Sequence, residues 1–162
     1  MLSLCVFYSC TPIKYLTVTT PKQEKILEIK NSKNELYIKA NQWMVNTFTS
    51  AKSIIQFQDK EEGKIMGKYI LHEGIAAYDQ RGLYGITTHV EGTPDICCTI
   101  TISIKDNATK IEITPQGDWL YQKQEPGAMY LSIHTYGPDD AKKDIEKLIV
   151  DYNTFMSKEN KW

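Results

Sequence analysis

Three histidines, four cysteines and a set of aromatics in irregular stretches are the residues of this 162-residue chain that could do chemistry. His72 stands beside Glu73, a combination suited to acid/base work. Neighbouring residues on a strand point to opposite sides, so the two read as separate surface groups. His89, Glu91 and Asp95 could supply an oxygen-rich cation site, but their spacing matches no established ligand pattern. His134 with Asp118 is a further acid/base combination, and a hydrolase would have to be built from this His89–His134 region. Gly63-x-x-x-Gly67-Lys68 has the outline of a phosphate loop. No Ser or Thr follows Lys68, and the glycines bracket a strand instead of opening a helix, so that reading is rejected. Cys97 and Cys98 are adjacent, which suits neither an ordinary disulfide nor a zinc site, and no Cys-x-x-Cys pair exists. No catalytic residue and no metal ligand is assigned on this basis, and no cofactor is expected.

Trp119, Tyr121, Tyr130 and Tyr136 are the candidate ligand-binding residues. Flat rings on loops can stack on sugars or grip peptides. The competing reading is that they cap the open end of the core.

The elements that must position these groups are legible from periodicity. Ser32 with Glu35 three residues on is a capping box, and Leu36, Ala40, Trp43, Met44 and Thr47/Phe48 form a helical stripe. Lys39, Gln42 and Asn46 lie off that stripe and are expected to face water. The helix should stop near Thr49–Ser50. Residues 53–59 and 64–72 then read as a hairpin around Gly63, with Ile65, Tyr69 and Leu71 on one face. Trp43, Phe48 and Phe57 read as scaffold. Gln23 to Lys30 is a first strand with Leu27 and Ile29 inward. Glycines break up 73–95, within which Tyr84 to Val90 suggests a short strand. Ile96 to Lys105 alternates without interruption, and Thr109 to Thr114 pairs back across a turn at Lys105–Ala108. Met129–His134 suggests a short extra strand. Pro138 opens a last helix with Asp139 and Asp140 in its first turn and a stripe from Ala141 to Met156. Two amphipathic helices on one face of an antiparallel sheet make an α+β two-layer sandwich, ordered β-α-β4-α.

Charge and the leader bound the address. The balance of 19 Lys+Arg against 20 Asp+Glu argues against a dedicated nucleic-acid surface, and no nucleic-acid partner is expected. No apolar run approaches the roughly 20 residues that a membrane-spanning helix needs. Residues 1–10 resemble the end of a bacterial lipoprotein signal, with Cys10 as the residue to be lipidated. The pattern lacks a basic residue before Lys14 and carries Phe7 where Leu is usual. A plainly cleaved signal and a cytosolic chain with an apolar first strand are the other readings. The expected organisation is a signal remnant over 1–10, a tether over 11–22, one α+β domain over 23–158 and a frayed end over 159–162.

The run Glu35-Leu36-Tyr37 through Trp43 to Phe48, then Ile55-Gln56-Phe57-Gln58-Asp59, then Gly63-Lys64-Ile65-Met66-Gly67-Lys68 resembles the DUF4468 family of Bacteroidetes-type bacteria. The resemblance spans about Gln23 to Thr114. It implies a TBP-like fold, frequent lipoprotein signals and no catalytic residues to carry over. Asn107-Ala108-Thr109-Lys110 departs from that family's usual Asp-Gly turn. The TBP-like label concerns shape, and DNA binding does not follow from it.

Taken together, the chain reads as a non-enzymatic, envelope-anchored interaction module for a protein, peptide or glycan, using a sheet face or the aromatic loops. A carrier of a small apolar ligand between helices and sheet is the alternative from another class, and the hydrolase is the third. The address has a direct check: labelled palmitate should enter the wild-type chain in a bacterial host and fail to enter Cys10→Ala. Equal labelling of the two removes the anchor.

Overall fold

The computed structural model describes residues 15–18, 20–48, 54–90, 92–116, 119–122 and 136–158. Ser32 starts the first helix, α1 (Lys33–Thr47), as its spacing predicts. The Ser32 amide donates to the Glu35 carboxylate at 3.0 Å, and the Glu35 amide donates to the Ser32 hydroxyl at 3.3 Å. The Ser32 hydroxyl, donating to the Glu35 carboxylate at 2.9 Å, and then the Ser32 amide hold that carboxyl below its ordinary value. The helix ends at Thr47 with Phe48 as its cap, slightly before the predicted stop. The second helix, α2 (Pro138–Ser157), begins at Gly137 with Pro138, Asp139 and Asp140 in the first turn.

Five strands form one antiparallel sheet: β2 (Gln23–Glu28), β3 (Ile55–Asp59), β4 (Lys64–His72), β7 (Ile96–Lys105) and β8 (Ala108–Pro115). Their spatial order is β2-β8-β7-β4-β3, so β2 and β3 are the edges. This is the predicted two-layer α+β arrangement, with the β-α-β4-α order intact. Two ribbons lie outside that sheet. One pairs β1 (Tyr15–Val18) with β9 (Trp119–Gln122), and the other pairs β5 (Tyr78–Arg81) with β6 (Thr87–Val90). Part of the stretch read as a tether is therefore a strand. The strand suggested at Tyr84–Val90 starts at Thr87 and belongs to a separate ribbon. Residues 1–10 and 159–162 and the suggested strand at Met129–His134 lie outside the described residues.

The alternation along β7 explains why the layers meet as they do. Ile96, Cys98, Ile100, Ile102 and Ile104 are buried, while Cys97, Thr99, Thr101 and Ser103 on the other side keep partial exposure. Ile111 and Ile113 of β8, Leu27 of β2 and Ile65 of β4 extend the same apolar face. Onto it pack Leu36, Ala40, Trp43 and Met44 of α1 and Ala141, Ile145, Tyr152 and Met156 of α2. At roughly 1.5–3 kcal/mol for each large side chain buried, this layer is the main source of stability. Gly63, at φ +70°, closes the β3–β4 turn, where a Cβ would meet the Ile104 carbonyl oxygen at 2.3 Å. Asn107, at φ +61°, takes the left-handed position in the β7–β8 turn, a place where asparagine is tolerated.

Two side chains depart from expectation. Lys39, read as solvent-facing, is buried; its stem lies in the layer and its ammonium donates to the Lys158 carbonyl at the end of α2. Desolvation lowers its pKa. Phe57, read as scaffold, is 45% exposed because its register opposite Met66 puts it on the outer side of the sheet.

The two largest side chains of the layer have their polar atoms paired. The Trp43 indole N–H donates to Asp151 Oδ2 at 2.8 Å, and its ring meets Tyr152 edge-on with centroids 4.9 Å apart. The Tyr152 hydroxyl lies 2.5 Å from Thr109 Oγ1. Trp43→Ala should therefore cost about 3–5 kcal/mol in urea unfolding. Tyr152→Phe, which leaves the Thr109 hydroxyl buried and alone, should cost about 1–2 kcal/mol. A neutral outcome for Trp43→Ala would remove the residue from its place as core anchor.

Candidate functional site

The end of β4 is built to turn a side chain. Antiparallel partners run one for one from Lys64 opposite Ser103 to Ile70 opposite Cys97, but His72, not Leu71, stands opposite Ile96. The extra residue is a β-bulge, and it swings His72 onto the helix-bearing side that Ile96 occupies. His72 there stacks on Tyr136, with ring centroids 4.2 Å apart and planes 7° from parallel. Tyr136 donates its hydroxyl to Asp144 Oδ2 at 3.0 Å, and Lys147 donates to Asp144 Oδ1 at 2.8 Å. Lys147 first, and then Tyr136, holds the Asp144 carboxyl below its ordinary value. Burial, followed by the bond to Asp144, pushes the Tyr136 phenol up. Asp140, Lys143 and these four residues line a groove of about 320 Å³. Tyr136, Asp144 and Lys147 are thus hydrogen-bonded to one another, and His72 joins them by ring stacking alone.

The remaining candidate residues do not converge. His89 lies 2.7 Å from Asp79 across the β5–β6 ribbon, and both side chains are exposed. Asp95 accepts the Gly74 amide at 2.8 Å, and Thr93 takes the Ile75 amide on its hydroxyl at 3.0 Å. Together these bonds tie the base of the ribbon. Gly74 sits there because a Cβ would meet the Thr93 carbonyl oxygen at 2.0 Å. His89 and Asp95 therefore serve different local structures, and Glu91 lies outside the described residues. Glu73 is exposed and does not join His72. Among the described residues, no three His, Cys, Asp or Glu side chains gather where a metal ion could be held. Cys98 is fully buried, and burial pushes its thiol up to about 12, with Cys97 adding to the effect. Both cysteines are free thiols.

Of the aromatic set, Tyr136 is placed in the groove with His72, while Trp119 and Tyr121 belong to β9, opposite Val18 and Leu16. Tyr130 lies outside the described residues, as do Cys10, Asp118 and His134.

Sequence reasoning missed two features. A second groove of about 500 Å³ runs between α1 and β3, lined by Tyr37, Ile38, Asn41, Val45, Gln58 and Lys60 among others. Ile38 is 48% and Val45 60% exposed. Gln58 donates across the groove to Asn41. The helical stripe alone marks Ile38 and Val45 as off-core apolar residues, which is the one signal that could have found them. The other missed feature is the ribbon tip, where Tyr84 is 99% and Ile86 65% exposed. No helix among the described residues is long and apolar enough to cross a membrane.

Residues 24–81 match the family model of DUF4468, a domain of unknown function with TBP-like fold. That span contains the Glu35–Lys68 run on which the resemblance rests. A crystal structure of a DUF4468 family protein from Bacteroides ovatus is similar over 87% of this chain and 88% of that one, at 16% identity and a TM-score of 0.51. A TBP-like protein from Parabacteroides distasonis is similar over 94% of this chain and 100% of that one, at 17% identity and a TM-score of 0.52. At such identities the likeness concerns fold alone. No functionally curated protein matches the chain.

The Asp144 contacts give a pH signature. Its folded carboxyl is depressed below the unfolded value of about 3.9, so its contribution is present above that pH and fades as pH falls through the folded value. Asp144→Asn should lower stability near neutrality by about 1 kcal/mol, a modest figure because the carboxylate is 36% exposed and screened. The difference between wild type and variant should shrink below about pH 4 in thermal unfolding. A difference independent of pH would show that the carboxylate's charge is not involved.

Proposed function

We propose that this chain, which carries the DUF4468 match in its N-terminal half, is a non-enzymatic interaction module that seats an extended peptide segment of another protein along β3. The observation that carries the reading is the edge position of β3 beside the groove it shares with α1. An edge strand offers a row of unpaired amides and carbonyls, and an incoming strand completes them. Successive side chains of such a segment point to alternate sides. Those on the helix side meet Ile38, Val45 and the Asn41–Gln58 amides; those on the other side meet Phe57. The segment that fits is short, matching the five residues of β3, and apolar on both sides. Held at the cell envelope through Cys10, the module would present this edge to extracytoplasmic partners.

The other two classes have less support. The layer between helices and sheet is filled by Trp43, Tyr152, Ile100, Ile102 and Ile111, all fully buried, which leaves little room for a carried ligand. For a hydrolase, His89 stands with Asp79 on an exposed ribbon instead of facing a groove.

Selection from a displayed library of random peptides tests the reading. Enriched peptides should alternate around apolar residues, slow amide exchange over 55–59 on binding, and bind Val45→Lys or Ile38→Glu about tenfold more weakly. Peptides that protect another surface, or a selection that enriches none, would sink it.

A further inference from the structure

The β5–β6 ribbon exposes more apolar surface than its size calls for. Ile75 at its base, Tyr78 on β5 and Tyr84 and Ile86 at its tip are all exposed large side chains. The tip backbone is held in a defined shape. The Gly82 amide donates to the Ile86 carbonyl at 2.8 Å, and the Gly85 amide donates to the Gly82 carbonyl at 3.3 Å. Tyr84 and Gly85 both take positive φ, +75° and +74°. Tyrosine pays a steric penalty there, and at 99% exposure no packing against the chain offsets it. A strained residue fixed outward with nothing to pack on points to display.

The charge of the tip says what it is displayed to. Residues 80–90 contain no Asp or Glu, and Arg81 within them is the only arginine in the chain. Asp79, the carboxylate of β5, is engaged by His89 at 2.7 Å. The tip is therefore apolar and aromatic with Arg81 as its nearest charge, and the carboxylates Asp79 and Glu91 come farther from it along the chain. A specific protein interface needs on the order of 1,000 Å² or more with matching shape, which a convex turn of a few residues cannot supply. A lipid surface makes no such demand. Aliphatic side chains enter the acyl boundary, tyrosine rings favour the headgroup level, and arginine meets anionic headgroups.

We propose that the β5–β6 tip is a membrane-surface contact that seats Tyr84 and Ile86 in the interface of an anionic lipid layer, with Arg81 on the headgroups. The site is separate from the β3 groove and stands or falls independently of it.

The test uses the full chain carrying Cys10→Ala, so that no acyl chain contributes. Its flotation is measured with phosphatidylethanolamine vesicles, with and without phosphatidylglycerol. The parent should float with the anionic vesicles, and Tyr84→Asp or Ile86→Asp should weaken that binding about tenfold. Arg81→Gln should weaken binding to anionic vesicles alone. Val150→Asp, an exposed apolar position on α2 outside both sites, should leave it unchanged. All of these positions are exposed, and unchanged thermal unfolding verifies that each variant folds. Failure of the parent to float, or tip variants that float like the parent, would overturn the proposal. So would an equal loss in Val150→Asp, which would mark generic stickiness.

Discussion

The fold turns on one requirement: polar atoms that enter a shared apolar layer must find partners within it or at its rim. Trp43 and Tyr152 are the largest fully buried side chains, and each carries a polar atom. Leaving either atom unpaired costs on the order of 1–3 kcal/mol, a large part of a domain's net stability. Asp151 answers the indole and Thr109 answers the phenol. One partner comes from α2 and the other from β8, so the two bonds fix helix against helix and helix against sheet together. Apolar burial drives the layers together without regard to direction. These bonds select one arrangement among those that would bury similar area.

A second clamp works at the start of α1. The β7–β8 turn reaches across to the β2–α1 junction, where the Lys33 amide donates to Asp106 Oδ1 at 2.8 Å and the Asn107 amide donates to the Asn31 carbonyl at 3.0 Å. The turn thereby satisfies one of the open amides of the helix's first turn. Asn107 takes the left-handed position of this turn at φ +61°, which asparagine tolerates, while the side chain of Asp106 does the capping.

What was legible in the sequence follows from the range of the forces involved. The Ser32–Glu35 box is local, and the alternation along β7 is a period-two signal, so both stand in the structure where the spacing puts them. Lys39 was misread because its charge says surface, while its burial depends on where α2 ends, more than a hundred residues on. Phe57 was misread because hydrophobicity does not tell which side of a sheet a register selects. The His72–Tyr136 stack needs both a bulge at Leu71 and the entry of α2, and neither leaves a periodic trace. Tyr136 was visible as an aromatic of interest, but its engagement by Asp144 was not. The pairing of Tyr15–Val18 with Trp119–Gln122 is likewise non-local, and a threonine-rich stretch gives no sign of it.

The same bookkeeping separates structural from functional surface. Several titratable groups among the described residues satisfy one another: Asp144 with Tyr136 and Lys147, Asp79 with His89, and Glu112 with Lys22 and Lys110. Catalysis asks for the reverse, a group kept poised by an environment that does not satisfy it. The unsatisfied surface of this protein is of another kind, comprising an edge strand's backbone, the apolar residues Ile38 and Val45 beside it, and a strained tyrosine with no neighbour. Backbone edges and apolar side chains lower their free energy by contact with another body, not by proton transfer. The edge backbone and the apolar side chains left open at the rim therefore offer footholds for association.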